Sequence, residues 1–354
     1  MSDTEVDFAV LGSTPQARLL AGLLASEHGR KVALAAESEA AYRLPHGLDL
    51  SAAPITRPET WVLLASLVPE TVKLLSRIGG RSAWARVDPI LFADLPAPAE
   101  AISHIRHMAS AFGIAAERVP PDLVGPGRNA IYLRDCVVLH RAALDAALDA
   151  WLDRLGVVRL TGAVSIQADG SGSAPGGDAH CRIARVILAD DTALLRHLPT
   201  DTWPALLVRE LGNTLLLEPT APMAGAIMHQ LDFGLTLHRQ PHGGLVALGP
   251  GTADDFAGRL VALLGRERSP RLAGRSQYVS ITTADGAPAV GQIGGVGADL
   301  LAGFGFTGAF FAPVIARWLC DCASPAETSW IEARLIGRSV AASASPAAEF
   351  RGAA

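Results

Sequence analysis

"FAVLGSTPQARLLAGLL", residues 8–24, decides the reading of this chain. An apolar run ends at Gly12, Pro15 follows almost at once, and Ala17, Leu20, Ala21 and Leu24 recur at helical spacing. That order predicts a buried parallel strand, a tight turn, and a helix that lays one apolar face on a sheet. Pro15 suits the first turn of the helix, with Ser13 or Thr14 as its cap. Gly29 closes the helix, and KVALAAE (31–37) reads as a second strand ending on Glu37. This is the layout of a dinucleotide-binding unit, with an acid about twenty residues past the turn to take ribose hydroxyls.

The turn itself departs from the usual G-x-G-x-x-G, whose glycine positions hold Gly12, Thr14 and Ala17 here. Backbone N–H groups at a helix N-terminus attract a diphosphate whatever the side chains are. Gly12, Ser13 and Thr14 are therefore the candidate diphosphate contacts and Glu37 the ribose contact. By itself the turn is equally compatible with a strand-to-helix connection that has lost its ligand.

Composition narrows the classes. The chain has 354 residues, is 49% hydrophobic and carries a net charge of -5. It is long enough for two domains or two interleaved lobes. The acidic balance gives no electrostatic footprint for nucleic acid or an anionic membrane. No stretch reaches the roughly 18 uninterrupted apolar residues of a membrane span. The start, MSDTEVD, has neither a secretory nor a transit signature, so a cytoplasmic protein is expected. Four cysteines in this length make no disulfide framework. Cys320 and Cys322, two apart on an apparent helix, do not face each other. His104 and His107 share a helix face with no third ligand nearby, so no metal site is expected.

Further along, 60–78 is helical in pattern, with Pro69 as the expected break. LHRAALDAALDAWLDRLG (139–156) is an amphipathic helix, and VVRLTGAVSIQ and HCRIARVILAD are strands. Between them, 168–178 reads as a flexible hairpin loop. Residues 205–249 read as strands with a turn at PHGG (241–244). The Ala/Ser-rich end, residues 346–354 above all, reads as a disordered tail.

The C-terminal stretch carries the most specific signal. "TTADGAPAVGQIGGVGADLLAGFGFTGAFFAPVIARWL" (282–319) contains TADGAPAVG from Thr283 to Gly291, then Ala302, Gly303, Gly308, Ala312 and Pro313 at fixed spacing. These residues resemble the end of the FAD-dependent oxidoreductases of the D-amino-acid oxidase/glycine oxidase family. That family has T-x-D-G-x-P-x-x-G and then A-G-x-x-x-x-G-x-x-x-A-P opening a helix. Small residues there let backbone approach the flavin, and a helix N-terminus favours a negatively polarised ring edge.

The resemblance implies a role for other segments too. PHGL (45–48) resembles the turn beside the flavin ring, which makes His46, Gly47 and Leu48 candidates. Ala163 and Val164 fall where the adenine is reached, and VILADDT (186–192), with Ala189, where a strand passes the diphosphate. Gly303, Phe306, Thr307, Gly308 and Ala309 would border the ring. LHRQPHGG (237–244) would line the substrate cavity with His238 in place of an aromatic, so His46 and His238 are the candidate catalytic residues.

The departures from that family carry meaning. Asp191, beside Asp190, stands where relatives have glycine, and Ser280 stands where amino-acid oxidases place the arginine that clamps a carboxylate. Arg239 or Arg275 is the candidate replacement. The resemblance implies an α/β fold in which a Rossmann-like FAD-binding lobe (1–85, 140–205 and 280–345) interleaves with an antiparallel-sheet substrate lobe (86–139 and 206–279). It implies FAD as cofactor and oxidation of a C–N bond in a small amine or amino-acid derivative. The alternative is an accessory subunit of a heteromeric flavoenzyme, paired with a catalytic partner subunit.

Overall fold

A computed structural model describes residues 4–36, 44–176, 179–218, 223–240, 243–265 and 271–339. Its first sheet is built around the opening strand Thr4–Leu11, flanked in parallel by Val32–Ala35 and Ala179–Leu188. Val158–Arg159 lies beyond the former, and Asp299–Ala302 then Ala289–Gln292 beyond the latter. Ala9 and Val10 are fully buried, and the second half of this strand, Phe8–Leu11, is a continuous apolar run rather than an alternating one.

Helix Pro15–Ser26 packs against the sheet with its first ten residues all buried. Its outer side meets helix Gly308–Leu319 and helix Arg141–Arg154. The approach to the latter is so close that a Cβ on Gly22 would collide with the Trp151 ring. Thr14 is the N-cap, and its side chain accepts the Ala17 N–H.

The second sheet runs Leu272–Thr283, Leu207–Leu217, Leu245–Pro250, Leu235–Arg239, Ile227–Gln230, Ile90–Ala93, Asn129–Leu133 and Ala116–Arg118. Every neighbouring pair is antiparallel except Ile227–Gln230 with Ile90–Ala93. The long strand Leu272–Thr283 carries the chain from this sheet into the Asp285–Gly286 turn and on to Ala289–Gln292. Arg338 pins that turn, donating to both Asp285 oxygens at 2.7 and 2.8 Å.

Three local expectations are corrected. Helix Pro58–Gly79 runs through Pro69 without breaking. Pro69 is on the exposed side, where the carbonyl its missing N–H leaves unpaired is open to solvent. The segment 168–178 is not simply loop, because Gly172–Gly176 pairs with both Ala179–Leu188 and Ser165–Ile166. The last long helix ends at Leu319, so Cys320 caps it and Cys322 lies beyond it. Glu37 and the tail 346–354 lie outside the described residues, as do Pro241 and His242 of the PHGG turn. Among the described residues, no helix is long and apolar enough to cross a membrane, and no group of three or more His, Cys, Asp or Glu could hold a metal ion.

Candidate functional site

A cavity of about 1030 Å³ opens where the two sheets meet. Three turns at the carboxyl ends of parallel strands form its floor: 12–16, 189–193 and 303–308. Ligands of open α/β sheets bind at such strand ends. Leu216, His238, Gln240, Val246 and Leu248 form the opposite wall, with Ser280 to Thr283 along one side.

In the first turn, a Cβ on Gly12 would stand 3.0 Å from both the Ala17 Cβ and Asp190 Oδ2. Only glycine fits there, and Ala17 must stay small for the same reason. Ser13 and Thr14 line the cavity, and the Thr14 hydroxyl oxygen accepts the Ala17 N–H of its own helix. Gln16 is a lining residue that the sequence reading missed. It is buried, its Nε2 has no hydrogen-bond partner, and a Cβ on Gly308 would collide with its Oε1. The available signal was a lone uncharged polar residue at the start of an apolar helix.

The second turn holds two carboxylates. Asp190 caps helix Asp191–His197 by accepting the Ala193 N–H at 2.9 Å, and it accepts the Ser13 N–H at 2.7 Å. Asp191 lines the cavity and accepts the Ile281 N–H at 3.1 Å. Burial pushes the Asp191 carboxyl up to about 7; the Ile281 hydrogen bond opposes the shift and neighbouring Asp190 adds to it.

In the third turn, Gly303 has a φ of +69°, and a Cβ there would stand 3.1 Å from the Thr283 methyl. Phe306 and Gly308 line the cavity with it. Thr307 and Ala309 do not. The Thr307 hydroxyl donates to the Phe304 carbonyl at 3.1 Å, and Ala309 is fully buried behind the turn.

His46, Gly47 and Leu48 line the cavity on a segment held from both sides. The Leu50 N–H donates to the Phe306 carbonyl, the Tyr278 hydroxyl to the His46 carbonyl at 2.7 Å, and the Thr214 hydroxyl to the Pro45 carbonyl at 2.6 Å. The exposed His46 ring stacks on Tyr278 with centroids 3.9 Å apart. His238 faces the cavity with Gln240 Nε2 within 3.3 Å of its Nδ1. Burial pushes its imidazole down to about 4, and nearby His140 adds to the shift, so the ring is neutral at pH 7. Val164 and Ala189 line the cavity on the side of the first sheet. Arg239 and Arg275 are exposed and do not line the cavity, so neither replaces the clamp missing at Ser280. Each sits on a position of its strand that points to solvent.

The residues present fit the flavin dinucleotide expected from the sequence. The volume is at the upper end for cofactor sites, the turns are floored by glycine, and the unpaired Gln16 amide lies between the first and third turns. The contested point is the Ser13 amide, already taken by Asp190.

No protein-family model and no curated protein matches the sequence. Solved structures match nearly the whole chain. L-proline dehydrogenase from P. horikoshii aligns with a TM-score of 0.71 at 14% identity, over 93% of this chain and 97% of that one. NikD, an unusual amino acid oxidase essential for nikkomycin biosynthesis, aligns at 0.70 and 16%, over 93% and 97%. Glycine oxidase from Bacillus cereus aligns at 0.67 and 15%, over 95% and 99%. The α/β fold of two interleaved lobes, D-amino-acid oxidase-like, is the fold of this chain.

Proposed function

We propose that the chain is an FAD-dependent oxidoreductase that oxidises a C–N bond of a small amine or amino-acid derivative. The observation that carries this reading is the continuous cavity from the Gly12 turn to the space between the Gly303–Gly308 turn and the second sheet. The structural neighbours support the substrate class, being a proline dehydrogenase, a glycine oxidase and an amino acid oxidase by name. The lobe boundaries expected from the sequence suit it as well. All strands of the first sheet fall within 1–85, 140–205 and 280–345, and those of the second within 86–139 and 206–279, with Leu272–Thr283 crossing at 280.

When bound, the flavin supplies the hydride acceptor. The chain's residues bind, orient and exclude water. The Gly12 turn, Gln16 and the Gly303–Gly308 turn hold the dinucleotide, with Glu37 assigned to its ribose. His238, neutral at pH 7, offers the substrate a hydrogen-bonding imidazole rather than a base or a cation. The second-sheet residues lining the cavity include no lysine or arginine among the described residues. An uncharged imidazole and apolar Leu216, Val246 and Leu248 suit an amine or a carboxyl-substituted derivative better than a free α-carboxylate.

The visible spectrum of the purified protein tests the proposal. Flavin bands, or their appearance on adding FAD, are the expected result. A protein that stays colourless with excess FAD favours the second reading, an accessory subunit of a heteromeric flavoenzyme. The carboxylate at the diphosphate turn is what keeps that reading in view.

A further inference from the structure

A helix start leaves backbone N–H groups without intrahelical partners, and an anionic ligand satisfies them. In this chain the Ser13 amide of the diphosphate turn already has an anion. Asp190 Oδ2 accepts its N–H at 2.7 Å, while Oδ1 accepts the Ala193 N–H at 2.9 Å. The carboxylate thus ties together the turns that follow two adjacent parallel strands, Thr4–Leu11 and Ala179–Leu188. Its Oδ2 lies 3.0 Å from where a Cβ on Gly12 would stand, so it is pressed against the turn's backbone. Asp190, Gly12 and Ser13 all line the cavity. The adjacent Thr14 hydroxyl oxygen accepts the Ala17 N–H.

We propose that Asp190 is a built-in anion for this turn, competing with the diphosphate of the cofactor and making the cofactor exchangeable rather than permanently held. The inference rests on reading the cavity as an FAD site. Binding must break the Ser13–Asp190 hydrogen bond and bring a diphosphate against a carboxylate, and both steps weaken affinity. The same hydrogen bond satisfies the Ser13 amide when no ligand is bound, which favours the unloaded turn.

Flavin-stripped full-length protein, titrated with FAD by fluorescence quenching at fixed ionic strength, tests this in the wild type, Asp190→Asn and Asp190→Ser. Asn and Ser both preserve an N-cap acceptor for helix Asp191–His197, so the helix keeps its start. Both variants are expected to bind FAD at least ten-fold more tightly and to melt several degrees lower without FAD. Binding by the variants alone supports the inference too. A purely structural Asp190 would lower melting without tightening FAD. Equal or weaker FAD binding in both variants therefore overturns the inference and leaves the flavin reading intact. No binding by any of the three proteins overturns both.

Discussion

Asp190 and Ser13, 177 positions apart in the chain, meet at 2.7 Å, the carboxylate accepting the turn's first free amide. The Gly12 end of the cavity therefore carries a carboxylate on its amide donors. The Gly308 end is lined by small residues and by Gln16. The predictions below separate these two ends.

Gln16 is a buried amide whose Nε2 has no partner, placed where the first helix meets the Gly308 turn. A bound flavin is expected to accept its N–H. Gln16→Leu keeps the bulk and removes the donor, so it should cost roughly 0.5–1.5 kcal/mol of FAD affinity. The same change should leave stability without FAD equal or improved, since an unsatisfied buried group is removed. Calorimetric titration together with a melting curve checks both signs; unchanged FAD affinity would place the cofactor away from this helix.

Gly308 has no room for a side chain, because a Cβ meets the Gln16 carboxamide and lies 3.3 Å from the Phe304 Cβ. Gly308→Val should give a folded but flavin-poor protein, with Gln16 and Phe304 pushed into the cavity. The ratio of visible to ultraviolet absorbance, read beside far-UV circular dichroism, decides it. A folded variant with full flavin content refutes the assignment of this turn.

Asp191 links stability to pH. Its carboxyl is raised from the ordinary value near 4 to about 7 by burial, so between those values the folded state holds a proton that the unfolded state has lost. Stability should therefore fall as pH rises from about 4 to 7, the penalty being complete above the folded value. Asp191→Asn should remove that slope and stabilise the protein at pH 8 by up to roughly 4 kcal/mol, less in proportion as water in the cavity screens the charge. Urea denaturation at pH 4 and pH 8 measures the difference. A variant no more stable than the wild type at pH 8 contradicts it.

Free α-amino acids should be poor substrates. Ser280 is hydrogen-bonded to the Glu210 carbonyl, and Arg239 and Arg275 are outside the cavity. A carboxylate entering beside Leu216, Val246 and Leu248 would lose its hydration with no cation offered by the second-sheet lining, the arginines of the cavity, Arg141 and Arg196, coming from helices Arg141–Arg154 and Asp191–His197. Anaerobic bleaching of the flavin by a panel of amines, amino-acid amides and free amino acids tests this. Bleaching by glycine or D-alanine as fast as by uncharged amines would show that another group receives the carboxylate.

The strand, turn and helix of residues 8–24 and the small-residue pattern at 302–313 were legible because they depend on local periodicity and on where a bulky side chain cannot go. Those rules operate within a few residues, so Gly12, Pro15 and Gly308 carry them wherever the chain later folds. The interior run through Pro69 was not legible, since only its place on the exposed side of the folded helix leaves the unpaired carbonyl open to solvent. Nor were the contacts that define the site: Asp190 on Ser13, Gln16 beneath Gly308, and the Tyr278 hydroxyl on the His46 carbonyl 232 positions away. Each joins segments far apart in the chain, and their spacing in sequence holds no information about meeting. The charge states of Asp191 and His238 belong to the tertiary structure as well, because desolvation sets them and desolvation exists only once both sheets have closed over the cavity.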